Sequence, residues 1–323
     1  MMKPLVFVLC LAFVCASGGV NAQTALWQPS PGHVQVPIWP GVVPDAQQST
    51  GAEIMTSSKS KGVVAGKPTS GVYFSVTNVT RPTMTVYAPK GRNTRVAAVV
   101  FPGGGYQILA IDLEGTEVCD WLASRGITAI ILKYRVPFSG QYYDTKTDTE
   151  VTPKAPMALE DAQRTVGLVR FHAKQWHIDP SKIGVIGFSA GGDMVAEMST
   201  DFAKRAYPPV DAADKVSCRP DFAVACYPGH LWTDYTKFEL SPDIHVTSQT
   251  PPTFIVQDED DPVDNINNSL VYYIALKNAG VPAEMHLYAH GGHAFGLRRT
   301  KFPVTAWPEL MKTWLHTIGM LSN

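Results

Sequence analysis

The sequence predicts an α/β domain, a mostly parallel, doubly wound sheet with an antiparallel hairpin at its N-terminal side. Three observations predict it. Short unbroken apolar runs recur along the chain, as in parallel strands covered on both faces. Between them lie segments with the three- and four-residue apolar spacing of helices. The two patterns then alternate, separated by connections long enough for crossovers.

In chain order, residues 23–71 are rich in Pro, Gly and Ser and show no period, so they read as an extended lead-in lying over the domain. Val72–Val79 and Thr83–Tyr87 alternate around Arg81-Pro82 and read as the hairpin. Val96–Phe101 is the first buried run, followed by Pro102-Gly103-Gly104-Gly105 and a helical stretch from Asp112 to Arg125. Ile127–Leu132, Lys182–Phe188, Phe222–Tyr227, Thr253–Val256 and Glu284–Tyr288 supply further strands. The clearest helix is Pro156–His177, with Leu159, Ala162, Val166, Val169, Ala173 and Trp176 on one seam. Ile266, Leu270 and Ile274 mark another helix, and Met311, Trp314, Leu315 and Ile318 the last. No repeat and no second core with its own linker appears, which gives one domain over 72–323.

Bulk composition narrows the function. The 323 residues are 45% hydrophobic and 17% charged, with a formal charge of −1, an ordinary globular balance. Lys and Arg are not clustered, so a nucleic-acid partner is not expected. Lys3, the apolar run Leu5–Val14 and the small residues before Gln23 read as a secretory signal over 1–22, cleaved after Ala22. The run is shorter than the roughly 20 residues a bilayer span needs, and no later stretch is long and apolar enough to cross a membrane. A secreted or periplasmic protein follows. Of five cysteines, Cys119, Cys218 and Cys226 would remain. Cys218 and Cys226 flank one predicted strand and lie too far apart to bridge, since a disulfide needs Cα atoms within roughly 7 Å. All three read as small core residues.

The chemistry centres on Gly187-Phe188-Ser189-Ala190-Gly191, a G-x-S-x-G pattern with a strand entering and an amphipathic stretch leaving. That context presents a serine on a strained strand-to-helix turn as a nucleophile. The plainer reading, a serine capping a helix, is the weaker one. The base and its orienting acid should follow in the order acid, then histidine. Only His290 and His293 lie just past the last strand, and Asp260 and Asp261 are rivals for the acid, with Asp264 read as a helix cap. For the oxyanion, Ala190 offers one amide and the Gly103–Gly105 loop the others. No His-x-Glu-x-His spacing or cysteine pair suggests a metal, and the triple glycine lacks the ending of a phosphate loop, so neither metal nor cofactor is expected.

Eight stretches together carry a family likeness: Phe101–Tyr106, Leu132–Val136, Leu159–Arg164, Ile178–Pro180, Gly187–Gly192, Arg219–Phe222, Asp260–Val263 and Gly291–His293. They resemble the bacterial carbohydrate-esterase-like group of the α/β-hydrolase fold, the acetylxylan-esterase and feruloyl-esterase-like proteins often labelled xylanases. The resemblance implies a triad of Ser189, Asp261 and His293 and an oxyanion hole of Gly104, Gly105 and Ala190. It also implies a serine carboxylic-ester hydrolase acting on acetyl or other small acyl groups of plant polysaccharides or oligosaccharides. Two positions depart from the family pattern, Asp193 where His is frequent and Pro102 where oxyanion loops often begin with His. Tyr106, Tyr142, Tyr143 and Trp232 are the candidate substrate contacts, aromatic residues suited to sugar rings.

Two rival readings share some of these features. A prolyl-oligopeptidase-type peptidase would carry a propeller, which the irregular lead-in is too short to build. A non-catalytic binding protein on this fold would have lost a triad member, and all three residue types are present.

Overall fold

A computed structural model describes residues 26–49, 51–57, 71–136, 142–144, 149–151 and 155–322. The proposed signal at 1–22 and most of the polar segment 137–156 lie outside them. The strands are β1 (Gln35–Pro37), β2 (Ile54–Ser57), β3 (Phe74–Thr77), β4 (Thr83–Tyr87), β5 (Ala97–Phe101), β6 (Ile108–Leu109), β7 (Thr128–Lys133), β8 (Tyr142–Asp144), β9 (Thr149–Val151), β10 (Ile183–Phe188), β11 (Ala223–Cys226), β12 (Thr253–Asp258) and β13 (Ala283–Tyr288). The α-helices are α1 (Glu117–Ser124), α2 (Pro156–Phe171), α3 (Ala190–Thr200), α4 (Asn267–Asn278) and α5 (Trp307–Thr317).

Eight strands form the main sheet in the order β1-β4-β7-β5-β10-β11-β12-β13. From β7 to β13 every neighbour is parallel, while β4 runs antiparallel to β7 and β1 antiparallel to β4. The apolar runs of β5 and β10 are buried throughout, because helices cover both faces of a parallel sheet. The chain passes from β5 to β7 on one side and returns to β10 on the other. This reversal opens a crevice at the carboxyl ends of β5 and β10, where α/β sheets bind their ligands.

The N-terminal strands differ from the expected hairpin. β3 and β4 are present but do not pair: β3 joins β2 and β6 in a small antiparallel sheet, and β4 joins the main one. Asn78, at φ +56°, and the Val79–Val136 bridge lie between them. The turn therefore carries the chain from one sheet to the other. Nor is the lead-in a loose cover, for β1 is the edge of the main sheet and Trp27, Ile38 and Trp39 enter the core.

Helix α2 is shorter than its apolar seam suggested, and Asp161, Gln163 and Arg164 are buried beside Ala162, Val166 and Val169. These polar groups are paired. Asp161 accepts from Arg135 Nε and backbone N (2.9 Å) and from Trp39 Nε1 (2.8 Å), while Arg135 donates to Glu160 (2.7 Å) and the Pro44 carbonyl (2.6 Å). The Leu132–Val136 and Leu159–Arg164 stretches thus fasten the lead-in to the sheet. On α4 the expected seam is only partly covered, with Ile266 and Leu270 half-buried and Ile274 exposed, while Val271, Tyr272 and Leu276 are buried.

Candidate active site

The turn after β10 places Ser189 at φ +52°, ψ −119°, a region that costs an L-residue about 1–3 kcal/mol and persists only where its surroundings enforce it. Gly187 and Gly191 do so: a Cβ on Gly187 would overlap the Gly191 carbonyl, and one on Gly191 the Phe101 carbonyl. The Ser189 side chain makes no capping bond to α3. Its hydroxyl instead donates to Asp264 Oδ2 at 3.0 Å.

The loops after β12 and β13 bring the acid and the imidazole together. His293 Nδ1 lies 2.8 Å from Asp261 Oδ2, and both side chains are almost wholly shielded from solvent. Asp261 Oδ1 accepts the amides of Val263 (2.8 Å) and Asp264 (3.0 Å), which folds the loop back on itself. Asp260 instead ties the two loops together. Its Oδ1 accepts the amides of Gly291 (2.9 Å) and Gly292 (2.8 Å), while Oδ2 lies 3.2 Å from His290 Nδ1. His290 is exposed, so of the two histidines it is His293 that turns inward. Burial disfavours the imidazolium of His293, but the bond to Asp261 and the charges of Asp264, Asp261 and Glu114 outweigh it and push the group up to about 9. The carboxyl group of Asp258, at the end of β12, is buried without a hydrogen-bond partner among the described residues, and burial, with Asp260 and Asp261 nearby, pushes it up to about 7.

The loop after β5 is held by its own backbone. Gly103 O accepts from Ala110 N (3.0 Å), Gly104 O from Gln107 N (3.0 Å) and Ile108 N (3.1 Å), and Pro102 O from the Tyr134 hydroxyl (2.6 Å). The Gly103 amide is taken by Glu114 Oε2 at 2.8 Å. Those of Gly104, Gly105 and Ala190 are bonded to no acceptor among the described residues. The loop lies against Ser189, since a Cβ on Gly103 would come within 2.9 Å of its Cβ.

Several contacts here escaped the sequence reading. Glu114 sits on a wide π-type turn, Asp112–Thr116, and besides Gly103 it accepts the Tyr227 hydroxyl at 2.8 Å. Burial raises its pKa, against the pull of His293 and the two hydrogen bonds. The Tyr227 ring meets His293 edge-on, with centroids 4.8 Å apart. Asp193 accepts the Tyr106 hydroxyl at 2.8 Å, and the Tyr106 ring lies 5.9 Å from that of His230. Burial raises Asp193 to about 6, opposed by His230 and by the Tyr106 bond. Asp264 is the correction: it caps no helix, for α4 begins without a side-chain cap, and its carboxylate faces Ser189 and His293.

Among the candidate substrate contacts, Tyr106 joins the site through Asp193. Trp232 belongs to the loop after β11, where its amide donates to Asn268 Oδ1 (2.8 Å) and its indole to the Lys237 carbonyl (2.7 Å). Tyr142 and Tyr143 fall on β8, which pairs with β9, and their side chains lie outside the described residues.

Comparison with known proteins agrees with this architecture. A family profile of the alpha/beta hydrolase fold matches residues 152–297, and the BD-FAE profile matches 84–206. An acetylxylan esterase of Xylanibacter ruminicola is 28% identical over 235 residues, 66% of this chain and 43% of that protein. Endo-1,4-beta-xylanase B of Butyrivibrio fibrisolvens is 27% identical over 241 residues, 68% of this chain and 36% of that protein. The chain thus spans less than half the length of these curated relatives. Among solved structures, the acetyl ester-xyloside bifunctional hydrolase from Caldicellulosiruptor lactoaceticus matches with a TM-score of 0.67 and 30% identity, over 90% of this chain and 97% of that one.

Proposed function

Because the chain belongs to the acetylxylan-esterase-like α/β hydrolases, a family of carboxylic ester hydrolases, we propose that it removes acetyl or other small acyl groups from plant polysaccharides or oligosaccharides by a Ser-His-Asp mechanism. The observation that carries this reading is the meeting of a strained serine, an Asp-bonded histidine and three unengaged amides at one end of the sheet. The acyl half of it also draws on the acetyl-ester and xylan activities in the names of the relatives.

Ser189 attacks the ester carbonyl as His293 Nε2 takes its proton, while Asp261 fixes the imidazole with Nε2 toward the serine and stabilises the charge it acquires. The amides of Gly104, Gly105 and Ala190 bind the oxyanion. His293 returns the proton to the leaving alcohol, then activates the water that frees the acyl group. In the free enzyme the serine hydroxyl points to Asp264, so it must swing to His293 before attack; such bonds tighten when substrate binds. Export belongs to this proposal, with a mature protein beginning at Gln23 that is secreted or periplasmic.

Ser189→Ala tests the reading. It should abolish acetate release from acetylated xylan and from small acetyl esters, a loss on the order of 10⁶, while leaving the circular dichroism spectrum unchanged. A loss below tenfold removes Ser189 from the mechanism. For the wild type, a higher kcat/KM for octanoate than for acetate esters, without release from xylan, would replace the carbohydrate substrate with a lipid-like one.

A further inference from the structure

Asp264 has no part in the triad, yet its carboxylate stands beside both reacting side chains. Oδ2 accepts the Ser189 hydroxyl at 3.0 Å and lies 3.7 Å from His293 Nε2. The residue is fastened from both ends of its own peptide: its amide donates to Asp261 Oδ1 at 3.0 Å and its carbonyl accepts Gln257 Nε2 at 2.5 Å. Gln257 is held in turn by the Ser269 hydroxyl. The carboxylate packs against Gly229, where a Cβ would overlap it. A rigidly held, largely buried carboxylate at this spot is costly, because burial disfavours its charge.

What it faces suggests its use. The departing alcohol oxygen must sit at His293 Nε2 to receive its proton, which puts the carbon beside the esterified one within reach of Asp264. A hydroxyl on that neighbouring carbon, gauche to the ester oxygen, stands about 3 Å from it, close to hydrogen-bond length. The 3.7 Å between Nε2 and Oδ2 sets the two groups side by side, so that one oxygen of such a pair can bond each. A simple alkyl ester brings only acceptors to this place and cannot replace the serine hydroxyl on Asp264. An ester with a free vicinal hydroxyl brings a donor, and can.

We propose that Asp264 is a specificity-determining residue that binds the hydroxyl vicinal to the ester, so that the enzyme selects mono-acylated vicinal diols such as partly acylated sugars. The same exchange releases the Ser189 hydroxyl from Asp264 to His293, so the correct substrate turns the nucleophile toward its base. The inference rests on Ser189 and His293 being the reacting pair.

The test compares 2-hydroxyethyl acetate with 2-methoxyethyl acetate, which share an acyl group and differ in the donor. Wild type should favour the hydroxy ester by about tenfold or more in kcat/KM, the discrimination expected of a hydrogen bond to a charged group, with part of the gain in kcat. In Asp264→Ala the ratio should fall to near one, the hydroxy ester losing rate and the methoxy ester gaining it as the serine is freed. Asp264→Asn, which keeps one acceptor oxygen, should lie between. A wild-type ratio near one overturns the proposal, as do variants that lose both esters in equal proportion. Hydrolysis of both esters at equal rates sinks only this inference, whereas hydrolysis of neither by wild type removes the ester-hydrolase reading beneath it.

Discussion

In the proposed mechanism His293 is the general base, and the pH dependence follows from the carboxylates around it. A general base must be neutral, and Asp261, Asp264 and Glu114 together hold this imidazole charged up to about pH 9. With that value, about 1% of the base is free at pH 7 and about half at pH 9, so kcat/KM should rise about fiftyfold between them. Asp264→Asn removes one of the three charges. At 3.7 Å and an effective dielectric of about 20, a unit pair attracts by about 4–5 kcal/mol before screening. One pKa unit needs only about 1.4 kcal/mol, so even if solvent screening leaves about a third of that attraction the rising limb should move about one unit toward acid. The assay is kcat/KM for a soluble acetyl ester from pH 5.5 to 10, with spontaneous hydrolysis subtracted. A wild-type profile already flat above pH 7, or a variant whose limb moves toward alkali, would refute the reasoning. The same raised pKa stabilises the fold fully below the unfolded value of about 6.5, and that contribution is lost as pH climbs through 9.

Asp261→Asn should cost on the order of 10⁴ in kcat, because the amide would face His293 Nδ1 and reverse its tautomer; Asp260→Asn keeps the single oxygen that accepts both glycine amides and should lose less than tenfold. Steady-state rates on one acetyl ester decide the order, and a worse Asp260 variant would reverse the assignment. Asp161→Ala should lower stability to urea by about 2–3 kcal/mol, since it leaves Glu160 as the one counter-charge of the buried Arg135 guanidinium among the described residues and takes away the acceptor of the Trp39 indole; a shift under about 1 kcal/mol would show that the ionic network does not hold the lead-in. The thiols of Cys119, Cys218 and Cys226 are free and buried, so a thiol reagent should label none of them in the native protein and all three after unfolding.

Much of the fold was legible because its signals are local. A strand buried on both faces writes itself as an unbroken apolar run, and β5, β7, β10 and β12 all did so. The partner of a strand is not local. Val72–Val79 and Thr83–Tyr87 alternate as a hairpin would, and nothing in either segment reveals that Asn78 and Val79 divert the chain into another sheet. Helix α4 misled for a related reason. Its inner face is completed by Asn268 and Ser269, whose bonds to the Leu231 and Trp232 amides and to Gln257 make burial of polar side chains tolerable, so the apolar spacing alone marked the edge of the buried face rather than its centre.

The candidate-site positions divide along the same line. Ser189 was visible because the elbow needs glycine on both sides of it, a steric demand written within five residues. Asp261 and His293 stand at strand ends, but separating them from Asp260 and His290 needed family likeness as well as position. Glu114 and Asp193 left no trace in spacing, for their meaning lies in contacts with Gly103 and Tyr106, from the loop after β5. Asp264 did carry a signal that was misread. Three residues after Asp261, in a loop whose amides fold back onto that carboxylate, it returns to the same side of the turn and so to the same imidazole. A second acid so placed competes with the base for the nucleophile's proton, and a free enzyme built this way is partly self-restrained. Such restraint is useful only if the proper substrate lifts it, which makes a hydrogen-bond donor beside the ester the feature the cleft is arranged to meet.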